Sequence, residues 1–167
     1  MPAINSRPVK VYCGHPKLRF TRPAVAAAIH ALDAAAAPAT DCNRGTWHLP
    51  AGELSVAFLT DPALTRLHAD FLDDPSRTDV ITFPPATPGH EQAGEICISV
   101  DTARTYAAQH DHAFAEELTL YLVHGYLHLA GYDDHAPLTR KQMRGAERQA
   151  LAALRAAKKM PEFAFGH

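Results

Sequence analysis

The chain has 167 residues, 47% of them hydrophobic, with 16 lysines and arginines against 18 aspartates and glutamates and a formal net charge of −2. A chain of that length buries about 70% of the surface that its unfolded form exposes, so one soluble domain over residues 1–167 is expected to fold without a disulfide or a structural metal. The apolar content argues against disorder, and the charge sum, taken alone, argues against a polyanionic partner.

Residues 1–20 hold no apolar core of signal-peptide length, and the most apolar run, residues 25–37, is broken by His30 and Asp33, so the expectation is a cytoplasmic chain that spans no membrane. Cys13, Cys42 and Cys97 are odd in number and form no C-x-x-C pair; they read as small, reduced, buried side chains. In chain order, residues 9–13 alternate like a short strand, and Thr21 followed by Pro23 opens an Ala-rich helix to about residue 37. Residues 38–52 read as a loop that holds the lone tryptophan, Trp47, placed either to stack on a base or to close over the core. Residues 53–60 (ELSVAFLT) alternate as a strand, and Asp61-Pro62 caps and opens a helix to about residue 72. Residues 79–83 and 95–100 are two further β-rich runs, joined through a loop with Pro84, Pro85, Pro88 and Gly89. Helices follow over residues 101–109, 114–130 and 137–157. The fold class is α+β with an α/β-like alternation: a small mixed sheet of about four strands packed with about five helices.

The charge is segregated along the chain. Residues 1–22 carry five basic side chains (Arg7, Lys10, Lys17, Arg19, Arg22) and no acid, and residues 137–161 carry seven (Arg140, Lys141, Arg144, Arg148, Arg155, Lys158, Lys159) against Glu147. Residues 46–135 reverse the balance, with fourteen acids against Arg66, Arg77 and Arg104. If the two ends meet they make a stripe suited to phosphate; if they do not, they are separately solvated faces.

The segment that carries chemistry is HGYLHLAGYDDH, residues 124–135. His124 and His128, four apart on a helix, project from one face a turn apart and can share one metal ion. Gly131 is suited to end that helix with a positive φ, and the turn can bring Asp134 or His135 under the two histidines as a third ligand. Three protein ligands with an open fourth position is the plan of a catalytic zinc site, in which a metal-bound water, its pKa lowered to roughly 7, is the nucleophile. The zinc peptidases with HExxHxxGxx(H/D) share this spacing, but Gly125 stands where their general-base glutamate would be.

HGYLHLAGYDDH, together with RTDVITF (residues 77–83) and GEICIS (residues 94–99), resembles the YbeY family of bacterial rRNA maturation endoribonucleases, over about residues 54–151. The resemblance implies a single-strand-specific, zinc-dependent endoribonuclease with one zinc ion per chain, acting in small-subunit rRNA maturation and ribosome quality control. The implied partners are single-stranded RNA, rRNA and the ribosomal small subunit, with no membrane and no DNA. His124 and His128 fall on the family's first two metal ligands. The third position, usually histidine, falls on Asp134, and the spacing to Met143, Glu147 and Leu151 favours it; one extra residue in the turn would make His135 the ligand. The family's arginine before the TDV block corresponds to Leu72, and a common asparagine to His68. Arg77, carried here as the candidate catalytic cation, or Arg66 would replace that arginine, whose planar fork suits a phosphate.

Around this centre, Asp79 is a candidate support for a ligand histidine, while Glu116 and Glu117 favour the positive end of their helix. Leu118, Tyr121, Leu122 and Leu129 follow core spacing. RNA is expected across the metal cleft with its backbone on Arg140, Lys141 and Arg144, so affinity should fall steeply with salt. Two rival classes are a zinc peptidase, weakened by Gly125, and a non-catalytic ribosome assembly factor with a structural metal.

Overall fold

Four β-rich runs form one sheet. In the computed structural model, which describes residues 6–36, 47–72, 79–87 and 91–166, these are β1 (Val9–Cys13), β3 (Glu53–Leu59), β4 (Val80–Phe83) and β5 (Gln92–Ser99). The order is β1-β3-β5-β4, with β1, β3 and β5 parallel and β4 antiparallel to β5. The helices are α1 (Arg22–Ala35), α2 (Asp61–Leu72), α3 (Val100–Gln109), α4 (Phe114–Leu129) and α5 (Pro137–Ala156). The mixed sheet and five helices agree with the sequence reading. What that reading lacked is a two-residue ladder, β2 (Leu18–Arg19) against β6 (Ala164–Phe165), which joins the two chain ends. Two residues carry no periodicity, so nothing in the pattern could announce them.

Helices α1 and α4, with α5 packed on both, cover one face of the sheet, and their core runs through Val25, Ile29, Leu32, Phe58, Ile96, Leu122, Tyr126 and Leu154. A second cluster, Ala57, Leu59, Leu64, Ile81 and Cys97, holds α2 on the other face. Covered on both sides, β3 is apolar almost throughout its second half rather than strictly alternating. Trp47 is buried and donates its Nε1–H to the Leu32 carbonyl at 2.8 Å, which makes it a lid on this core rather than a base-stacking ring. Cys13 and Cys97 are free; Cys42 lies outside the described residues. Among the described residues no helix is long and apolar enough to cross a membrane.

The N-terminal basic run is partly spent inside the fold. Arg7 pairs with Asp33 at 2.6 Å and donates to the carbonyls of Leu49, Pro50 and Gly52. Asp33 in turn accepts the Tyr126 hydroxyl at 2.7 Å, so this half-buried cation links α1, and through Asp33 α4, to the segment that leads into β3. Arg7 is therefore a structural residue and is subtracted from any phosphate-binding stripe.

Candidate metal centre and its cleft

Helix α4 needs two opposite faces: one to pack on the sheet and one to carry polar side chains. Gly125 and Tyr126 lie on the buried side, and His124 and His128, half-buried, lie on the other. The packing at Gly125 is close enough that a Cβ there would come within 2.4 Å of Ile96 Cγ2 and 3.1 Å of Val80 Cγ1. The glycine allows the helix to sit on β4 and β5, and it faces the sheet, not the histidines. A glutamate in the peptidase position would have to enter the core.

The helix ends as the sequence suggested. Gly131 has φ +102°, its N–H bonds the His128 carbonyl and the Tyr132 N–H bonds the Leu127 carbonyl, both at 3.0 Å, which is the Schellman arrangement that a left-handed glycine permits. Beyond it, Asp133 Oδ1 accepts the backbone N–H of Asp134 at 2.8 Å and of His135 at 3.2 Å. This turn swings the Asp134 carboxylate back beneath the helix.

The result brings three of the sequence candidates together. His124 Nε2 and His128 Nε2 are 3.0 Å apart, and Asp134 lies 3.5 Å from the first through Oδ2 and 3.7 Å from the second through Oδ1. Zinc–nitrogen bonds of about 2.0–2.1 Å in a tetrahedron put ligand atoms roughly 3.3 Å from one another, and the three residues offer one donor atom each within 4.8 Å of one another. His135 is turned outward: its side chain is 88% exposed and lies 3.4 Å from Asp133. Among the described residues it shares a possible donor group only with Asp133 and Asp134, at the exposed turn.

Helix α5 supplies the residue that the sequence reading did not assign. Glu147 Oε1 lies 2.7 Å from His124 Nδ1, so the carboxylate accepts the ring N–H and leaves the lone pair of Nε2 directed at His128 and Asp134. The expected support from Asp79 is different in kind: its Oδ1 accepts the N–H of Val80, at the entry to β4. Glu147 was visible only as part of a spacing pattern, because a contact across 23 residues between two helices has no local signature.

Electrostatics separate the two histidines. Burial lowers the affinity of His124 for a proton, but the Glu147 hydrogen bond and charge, with Asp79 and Asp134, outweigh it, and its pKa is raised. For His128, burial and the neighbouring His124 win over Asp134 and a backbone hydrogen bond at Tyr132, and its pKa is lowered. In the protein alone, one ring attracts a proton and its neighbour repels one.

His124 opens into a cleft of about 600 Å³ whose walls include Asp79, Thr102, Tyr106, Glu117, Glu147 and Arg144. Arg144 follows Glu147 back along α5 by three residues and so shares its face, while Met143, Ala146 and Ala150 fill the core side. Arg140 and Lys141 are exposed on the first turns of the same helix, outside the residues that line the cleft. Arg66 is exposed on α2 and His68 is half-buried there; Arg77 lies outside the described residues, as does the side chain of Leu72. Glu117 is buried, with His112 Nδ1 3.3 Å away, so it does more than complement a helix end, whereas Glu116 is exposed and pairs with Arg155. Leu118, Tyr121 and Leu122 are core residues as expected, and Leu129 packs on the edge of that core.

The fold is a small α+β one that brings three possible metal donors together at the edge of a cleft and leaves no room for the peptidase glutamate. Its family follows from comparison. The family model described as Endoribonuclease YbeY matches residues 17–155, and the chain belongs to that family. The Endoribonuclease YbeY of Chlamydia abortus is 40% identical over 121 residues, covering 68% of this chain and 77% of the relative. That of Mycolicibacterium smegmatis is 37% identical over 113 residues, covering 61% and 64%. The solution structure of TM1509 from Thermotoga maritima is similar to the whole fold, with a TM-score of 0.54 and 18% identity over 90% of this chain and 94% of that one.

Proposed function

We propose that the protein is a single-strand-specific, zinc-dependent endoribonuclease of one domain, acting in the cytoplasm on rRNA of the ribosomal small subunit, in its maturation and quality control. The observation that carries the reading is the spacing of His124 Nε2, His128 Nε2 and Asp134, which fits one tetrahedral ion with a position left over, in a chain of the endoribonuclease YbeY family.

His124, His128 and Asp134 would hold the ion. Bound zinc supplies Lewis-acid polarisation of a phosphate oxygen and a lowered pKa for water. The protein's own residues do the rest. Glu147 fixes the tautomer and the aim of His124. Arg144, reaching into the cleft from α5, pairs with a phosphate of the strand, and Arg140 and Lys141 extend that cationic edge. Arg77 is retained as the candidate catalytic cation, two residues before the cleft residue Asp79.

The experiment is cleavage of a single-stranded RNA by metal-loaded protein beside His124→Ala purified identically. Cleavage should be lost in the variant by more than about 100-fold, as removal of a ligand exceeds the effect of disturbing its support. Equal cleavage by both preparations would assign the activity to a contaminant. RNA binding without cleavage by the zinc-loaded wild type would instead support an assembly factor.

A further inference from the structure

The cleft continues past the donor set to the end of the α3–α4 hairpin, where its walls change character. Tyr106, in the last turn of α3, stacks on His110 with ring centroids 3.8 Å apart and planes 15° from parallel. The tyrosine lines the cleft and is 40% exposed, a large aromatic surface left open to solvent. In the first turn of α4 the buried carboxylate of Glu117 lines the same cleft, steadied by His112 at 3.3 Å. Glu117 precedes His124 by seven residues on one helix, two turns or about 10 Å at the helical rise, so this pocket lies beside the donor set and within reach of a neighbouring nucleotide.

Charge decides which part of a nucleotide fits there. Arg144 is the one Lys or Arg among the described cleft-lining residues, and the other charged walls are Asp79, Glu117 and Glu147. Phosphate is drawn towards Arg144 and repelled from the hairpin end. A neutral aromatic ring with N–H donors is suited to the opposite: its face stacks on an aromatic side chain, and its amino edge finds a carboxylate. Tyrosine is well suited to the first task, since it presents a broad surface with few torsions to freeze. His110, stacked behind it, holds the ring in place.

We propose that Tyr106, backed by His110, is the stacking platform for a nucleobase next to the cleavage site, and that Glu117 selects bases carrying an exocyclic amino group over uracil. The proposal rests on the endoribonuclease reading and deepens it. Sequence periodicity could not reveal this, because Tyr106 and Glu117 belong to different helices and each reads locally as a surface residue.

The test uses full-length, metal-loaded protein and a cleavage-resistant 2′-O-methyl oligoribonucleotide with 2-aminopurine scanned along it. Wild type should quench the probe at one position, and Tyr106→Phe should do the same with affinity within about two-fold. Tyr106→Ala should lose the quench and bind about 10-fold more weakly, in the range measured for single base–aromatic stacks. An abasic nucleotide at that position should weaken wild type as much and erase the difference between wild type and Tyr106→Ala. Replacing an amino-bearing base there by uracil should weaken wild type several-fold and leave Glu117→Gln unchanged. Wild-type affinity and quench in Tyr106→Ala, in a protein that still cleaves RNA, would overturn the platform alone. If Tyr106→Ala does not fold, undiminished binding of the abasic ligand by wild type would overturn it equally. Absence of RNA binding by wild type would remove the endoribonuclease reading itself and the platform with it. Equal affinity of wild type for uracil and amino-bearing bases would overturn the role of Glu117.

Discussion

Two histidine–carboxylate pairs in this molecule use the same chemistry for opposite ends. His15 Nε2 lies 2.8 Å from Asp101 Oδ1, and the ring's Nδ1 accepts the N–H of Lys17 at 3.2 Å; the side chain is 4% exposed. Both nitrogens are spent, so the ring is a cross-link. It ties the segment between β1 and β2 to the start of α3, where the other oxygen of Asp101 accepts the Asp61 N–H at 2.9 Å, and Asp61 also receives the hydroxyls of Ser99 and Thr102. His124 has the same kind of carboxylate partner on Nδ1, but its Nε2 is left facing His128 and Asp134 at the edge of a cleft. A carboxylate on one ring nitrogen fixes tautomer and orientation in both cases. What becomes of the other nitrogen separates a tether from a candidate ligand.

The comparison breaks most sharply at the third donor. Asp134→Ala should strip the protein of zinc during purification, whereas His135→Ala should retain about one equivalent, measured by elemental analysis of both proteins side by side. The reverse pattern would make His135 the ligand. The next effect is that of Glu147→Gln, which keeps the size of the side chain but exchanges a charged acceptor for a neutral one. Zinc affinity should drop about 10- to 100-fold, the usual cost of disturbing the partner of a ligand histidine, with the melting temperature of the chelated protein little changed. Unchanged affinity would mean that Glu147 only packs against the ring.

The same contrast explains what was legible in the sequence. His124, His128, Gly131 and Asp134 lie within eleven residues, and their relations follow from helix period and a glycine turn, so local rules suffice. Glu147, Arg144 and the cross-link from His15 to Asp101 depend on helices and loops meeting across the fold, which no spacing encodes. The fold refines the charge reading. The β2–β6 ladder pairs Leu18–Arg19 of the first basic run with residues just beyond the second, yet Arg7 is consumed by Asp33 and backbone carbonyls, and among the described residues Arg144 is the Lys or Arg that lines the cleft. A count of charges is blind to which of them the fold neutralises. The peptidase alternative was weakened in sequence by a missing residue; the contact between Gly125 and Ile96 supplies the physical reason why no acid could stand there.

Weaker effects are expected at the tether. Asp101→Ala leaves the Nε2–H of His15 buried without its acceptor, and the protein should lose about 1–3 kcal/mol of stability in urea denaturation while its zinc content stays that of wild type. A loss of zinc instead would show that the two clusters act as one. The tether also carries a pH signature. Burial raises the pKa of Asp101, but the Asp61 amide and His15 together outweigh it, so the folded carboxyl titrates below its ordinary value. A group whose pKa is lower folded than unfolded contributes its stability above the unfolded value, about 3.9, and loses it as pH falls through the folded one. The stability difference between wild type and Asp101→Asn should therefore narrow as pH falls below about pH 4, when the carboxylate itself becomes neutral. A gap that widened on acidification would mean that the charge on Asp101 opposes folding and that the tether works through packing alone.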